Sequence, residues 1–141
     1  MSESQIYDLA NKNWVKNPSQ ECVEAIFLNA RLNGHSSIDD IIIKWSDTES
    51  NNWKDIHIAI MRNEDSCFVY KITKDTGIYE SLVWDELKSN KKNITISDHG
   101  GADCHFFEYH RTPISDAFAF ANEFINSGNT TNFPWDTEPL L

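Results

Sequence analysis

At 141 residues the chain has the usual size of one compact domain, long enough to bury a core without disulfides or metals to staple it. Hydrophobic residues make up 40% and aromatics 12%, more apolar surface than disordered chains carry, so it should fold. Acids number 22 against 12 Lys and Arg, a formal net charge of −10; that opposes the phosphate neutralisation nucleic-acid binding requires and would attract a basic partner.

The N-terminus, Met1-Ser2-Glu3-Ser4-Gln5, has no basic region and leads into no apolar stretch, and nowhere does an apolar run approach the ~20 residues a membrane helix needs. The expected location is the cytoplasm, with no membrane association. Residues 4–16 mix Ile6, Leu9, Trp14 and Val15 with polar residues and read as either a short helix or an irregular arm. From Asn17 to Asn33 the pattern is helical: Pro18 suits a first helical position, Val23, Ile26, Phe27 and Ala30 repeat at i, i+3, i+4, i+7, and Gly34 supplies the stop.

Beyond Ile38 the chain changes to short β-branched and aromatic runs separated by polar turns, the mark of an antiparallel sheet. The predicted strands are 40–45, 55–62, 66–73, 78–84, 93–97 and 102–110. In the second of these Ile56, Ile58 and Ile60 alternate with Asp55, His57 and Ala59, so one face is expected to be apolar and the other wet. Trp45, Trp53 and Trp84 lie in or beside strands, where sheet packing is their expected role. Asp85, Glu86, Lys88, Lys91 and Lys92 form a mixed-sign, solvated loop or short helix.

A second helix opens at Thr112-Pro113, with Thr112 as the expected N-cap and Asp116 near the positive helix end. Ile114, Ala117, Phe118, Ala121, Phe124 and Ile125 hold the spacing of one buried stripe, and Ser127-Gly128 ends it. Phe133-Pro134-Trp135 then suggests a last short strand or an extended clamp before a polar tail at 136–141. The whole reads as a single α+β domain over 1–141, a mainly antiparallel sheet with an N-terminal helix and a C-terminal amphipathic helix packed on it.

Catalytic signatures are missing: G-x-S-x-G, Walker A, H-E-x-x-H, G-x-G-x-x-G and the zinc deaminase pair do not occur. The best residual candidate is Asp98-His99-Gly100-Gly101-Ala102-Asp103-Cys104-His105 with Glu108 and His110. In a strand from Ala102, however, Cys104 and Glu108 share one face and Asp103 and His105 the other, so the ligands diverge. A Cys104 and His57 pair lacks an orienting third group. Cys22, Cys67 and Cys104 are odd in number with no C-x-x-C, which fits reduced, packed thiols. No catalytic residue, metal or cofactor is assigned.

The C-terminal half carries a resemblance. Gly100-Gly101, the aromatic strand Phe106-Phe107-Glu108-Tyr109, Thr112-Pro113-Ile114 into an Ala- and Phe-bearing helix, then Glu123, Phe124, Ile125, Gly128 and Trp135, resemble the closing order of the Imm1 family of bacterial immunity proteins. Where that family usually carries an arginine between the glycine and the tryptophan, this chain has Asn129-Thr130-Thr131-Asn132. The resemblance implies a noncatalytic cytoplasmic antidote that binds a cognate toxin domain, 1:1, as in contact-dependent growth inhibition; the toxin class is a nuclease or deaminase. Glu123, Phe124, Gly128 and Trp135 would then hold the fold. Toxin contacts are expected on sheet loops and the wet sheet face, with Asp75, Asp85, Glu86, Asp98 and Asp103 as the leading residues. The alternatives are a general acidic adaptor domain or an unrecognised hydrolase.

Overall fold

Ile41 and Ile43, and likewise Ile56, Ile58 and Ile60, recur at every second position, which sends their side chains to one side of a strand. In the computed structural model these residues form the centre of an antiparallel sheet. The structure describes residues 2–8, 12–33, 41–47, 52–61, 64–72, 79–97, 103–131 and 133–136. β3 (Ile41–Asp47), β4 (Asn52–Ile60), β5 (Ser66–Ile72) and β6 (Tyr79–Leu82) run as a meander. β1 (Ser2–Asp8) pairs along the whole of β3, and β2 (Asn13–Lys16) lies outside β1. The expected irregular arm at 1–16 is therefore a β-hairpin: Ser4 and Ile6 alternate inward, and Ile6 faces Ile43 on one side and Val15 on the other. Two short strands complete the other half. β9 (Thr112–Pro113) pairs the start of β5, and β10 (Trp135–Asp136) pairs β6. A separate two-stranded sheet is made by β7 (Asn93–Ser97) and β8 (Asp103–Phe107).

Both helices lie on one face of the large sheet. α1 (Gln20–Asn33) starts later than the Pro18 reading, because Ser19 Oγ caps it by accepting from the Cys22 N–H at 3.1 Å. Asn17 instead has φ 45° and bridges to β1, its N–H donating to the Ser4 carbonyl and its Oδ1 accepting from the Ser4 N–H. α2 (Ile114–Ser127) is preceded by Pro113 at the cap position with no side-chain cap bond. Thr112, expected as the cap, turns its hydroxyl back to the His110 carbonyl at 3.0 Å. The buried stripe of α2 also takes in Phe120, while Ile114 and Phe118 lie at its edge. Against it pack Ile6, Ile41, Ile43, Ile56, Ile58, Ile60, Val69 and Leu82 from the sheet, with Val23, Ile26 and Phe27 from α1. Gly128 closes α2 in the left-handed region at φ 68°, as a C-terminal glycine does.

The second sheet face departs from expectation. His57 and Ala59 are buried rather than wet: β7 and β8 pack over Ala59, and His57 stacks on Tyr70. Phe68 stacks on Phe106 at 4.7 Å, with Tyr70, Ile96 and Cys104 completing a second apolar cluster. Toward β2 no described element covers that face. Here the outward row Trp14, Tyr7, Ile42 continues into His57 across neighbouring strands, with Trp14 38% exposed. The predominantly antiparallel sheet with one helical layer is the α+β architecture read from the sequence.

Candidate partner-binding site

A buried polar cluster is the first place to look for chemistry. β8 runs into a 3-10 turn, Glu108–His110. The Phe107 N–H donates to His110 Nδ1 at 2.9 Å, which fixes the ring proton on Nε2, 3.2 Å from Asp136 Oδ2. The Tyr109 hydroxyl donates to the same carboxylate oxygen, and Lys88 Nζ stands 3.6 Å from it. Ser81, opposite Asp136 in the β6–β10 pairing, is fully buried with no partner for its hydroxyl. A serine, a histidine and an aspartate thus converge, yet both ring nitrogens of His110 are engaged, so neither can take a proton from Ser81. His110 is itself inaccessible. The cluster works as a clamp that fixes β10 to the turn after β8.

The other candidate chemistry is also set aside by geometry. Cys104 points into the second apolar cluster, whereas His105 faces solvent, where its Nδ1 meets Thr95 Oγ1 at 3.1 Å; the divergence read from the sequence holds. His57 stacks on Tyr70 at 4.9 Å. Burial pushes the Cys67 thiol far above its usual range, which removes the thiolate a nucleophile needs. Among the described residues no group of three or more His, Cys, Asp or Glu could hold a metal ion.

What the surface does offer is a groove of about 370 Å³ between α2 and the end of β6. Its floor is apolar: Leu82 and Val83 from the sheet, Phe120 from α2, and Phe133-Pro134 from the segment leading into β10. The Val83 N–H bonds to the Pro134 carbonyl at 3.0 Å, and Phe133 meets Phe120 edge-on at 4.5 Å, so the floor is rigidly held. The rim is acidic. Asp116, Ala119 and Glu123 fall at i, i+3 and i+7 along one side of α2, and Glu86 stands opposite. Trp84, 49% exposed, forms one wall, its backbone N–H fixed to the Tyr109 carbonyl at 3.2 Å. Among the described residues no lysine or arginine pairs with Glu86, Asp116 or Glu123.

Comparison of the chain with family models, with curated proteins and with solved structures returns no match.

Of the residues picked from the sequence as toxin contacts, Asp75 and Asp98 lie outside the described residues. Asp103 opens β8 opposite Ser97. Asp85 holds its own loop, accepting from the N–H groups of Leu87 at 3.1 Å and Ser89 at 3.2 Å, while Glu86 reaches the groove. The four motif residues divide as well. Phe124 is wholly buried, and Gly128 lies so close to Trp45 that an added Cβ would come within 2.3 Å of the indole. Trp135 donates from Nε1 to the Thr130 carbonyl at 2.8 Å and packs on Phe120. Glu123 is exposed on the groove rim. Asp116 and Ala119 were not singled out as groove residues; their spacing beside the buried stripe of α2 was the available signal.

Proposed function

We propose that this protein is an antidote that binds a cognate bacterial toxin domain and neutralises it by covering its active site. The observation that carries the reading is the acid-rimmed groove of Glu86, Asp116 and Glu123, unpaired within the described structure, on a chain of net charge −10. A toxin that acts on nucleic acid needs a basic surface to hold its substrate, and an acidic, catalytically inert surface complements it and speeds encounter. The likeness of the C-terminal segment to Imm1 immunity proteins supports the same reading, as does the failure of the Ser81, His110 and Asp136 cluster to form a working triad. No helix among the described residues is long and apolar enough to cross a membrane, which is compatible with action in the cytoplasm, where such a toxin would arrive.

Co-expression with the C-terminal toxin domain encoded directly upstream tests this. Survival only when the chain is present is the expected result. Cells that die in its presence, with the protein folded and abundant, would overturn the proposal.

A further inference from the structure

Three tryptophans of this protein already carry a cation of the same chain: Lys44 Nζ lies 4.9 Å from the Trp14 ring, Lys54 Nζ 5.4 Å from Trp45, and Lys71 Nζ 4.6 Å from Trp135. Trp84 is the most exposed of those described as exposed, and among the described residues no cation of the chain stands over it. It forms the wall of the groove whose rim holds Glu86, Asp116 and Glu123. From this juxtaposition we infer that the groove receives an arginine side chain of a protein partner, its guanidinium stacked on Trp84 and its alkyl stem laid on Phe120.

The chemistry selects this occupant. Ligand pockets run from about 300 to 1,000 Å³, so a groove of about 370 Å³ suits one long side chain rather than a folded segment. An indole face attracts a cation within about 6 Å of its centroid, and a planar, weakly hydrated guanidinium stacks there better than an ammonium. Guanidinium also presents five N–H donors in a fork, which carboxylates on two sides of the groove can accept together. Asp116 and Glu123 are seven residues apart on α2, roughly 10 Å along the axis, and Ala119 between them leaves the gap open with no side chain beyond its methyl group. The identity of the partner rests on the antidote reading; the arginine chemistry of the groove rests on the geometry alone.

The test has two arms. In the first, acetyl-arginine N-methylamide is titrated into the full chain and followed by NMR at the Trp84 indole N–H and the Ala119 methyl group, with the lysine and the uncharged citrulline analogues as comparisons. Saturable shifts at both positions with arginine, weaker ones with lysine and none with citrulline are expected. Asp116→Asn with Glu123→Gln should weaken arginine binding about fivefold, the size of two exposed pairs. Ala119→Leu, a good helix former at an exposed position, should fill the groove and abolish the shift at the Trp84 indole N–H. Citrulline binding as tightly as arginine, or shifts spread over every acidic residue without saturation, overturns the inference. In the second arm Ala119→Leu is assayed for protection against the toxin domain. Lost protection at an unchanged melting temperature supports the groove as the contact. Full protection by Ala119→Leu overturns the groove while the proposed function stands, whereas failure of the wild type to protect overturns that function and leaves the arginine arm to decide the groove.

Discussion

Gly128 shows how much one missing methyl group can matter. Its φ of 68° lies where an L side chain is strained by roughly 1–2 kcal/mol, and its Cβ would overlap the Trp45 ring at 2.3 Å. Overpacking a well-filled site adds about 1–3 kcal/mol, so Gly128→Ala should cost about 2–5 kcal/mol in denaturant melts. That rivals Phe124→Ala, expected to cost about 3–5 kcal/mol by leaving a cavity under α2. Combining Gly128→Ala with Trp45→Ala should give less than the sum of the two single losses, because the ring that is struck is gone; strict additivity would show that the helix end moves aside instead. The thiols give a second residue-level test. Cys67 and Cys104 are buried and Cys22 is only partly so, and burial raises the Cys67 pKa, which keeps it protonated across the neutral and mildly alkaline range. A disulfide reagent at pH 8 should therefore label Cys22 alone in the native protein and all three once it unfolds.

The elements differ in how far they could be read. Strands β3 to β5 and β7 were legible within a few residues, because short β-branched and aromatic runs bounded by polar turns are a local signal. Both helices were legible from their apolar stripes. The β1–β2 hairpin was not, since Ile6, Leu9 and Val15 are too few to separate a period of two from one of 3.6; what decides it is pairing with β3, a partner more than thirty residues away. For the same reason the burial of His57 and Ala59 on the expected wet face of β4 is hidden: nothing within 55–60 reveals that Tyr70 will stack on His57 or that β7 and β8 will cover Ala59. The groove was half visible. Glu86 reads as a partner contact and Glu123 only as a fold-holding residue, but which strand end α2 lies beside is a tertiary fact. The small sheet makes a prediction at this scale. A two-stranded sheet alone is marginal in water, and this one is held to the large sheet through Phe106, Ile96 and Cys104. Phe106→Ala should speed amide exchange throughout β7 and β8 while β3 and β4 keep their protection; uniform loss across the protein would mean that the two sheets unfold as one unit.

For the molecule as a whole, the charge of −10 acts over distance rather than through single contacts. Replacing the exposed Glu86, Asp116 and Glu123 by their amides should slow association with a basic partner and leave melting nearly unchanged, since exposed charges stabilise little. Asp85→Asn should behave differently and loosen its loop, because its carboxylate holds Leu87 and Ser89. Added salt should slow the wild type and narrow its lead over the variants, as screening sets in beyond about 10 Å at 0.1 M. Association rates indifferent to salt would end the steering idea. The order in which the sheet is wired has a further consequence, in time. β3 to β6 are neighbours in sequence and can zip together early, but β1 reaches β3 only across α1, and β10 meets β6 with Trp135 opposite Leu82. Sheets completed by such distant pairings close in milliseconds to seconds rather than microseconds. The groove, whose two walls belong to the early meander and to the late-arriving segment before β10, is among the last features to form, so on the antidote reading proposed above a toxin would be met by finished molecules and not by those still being made.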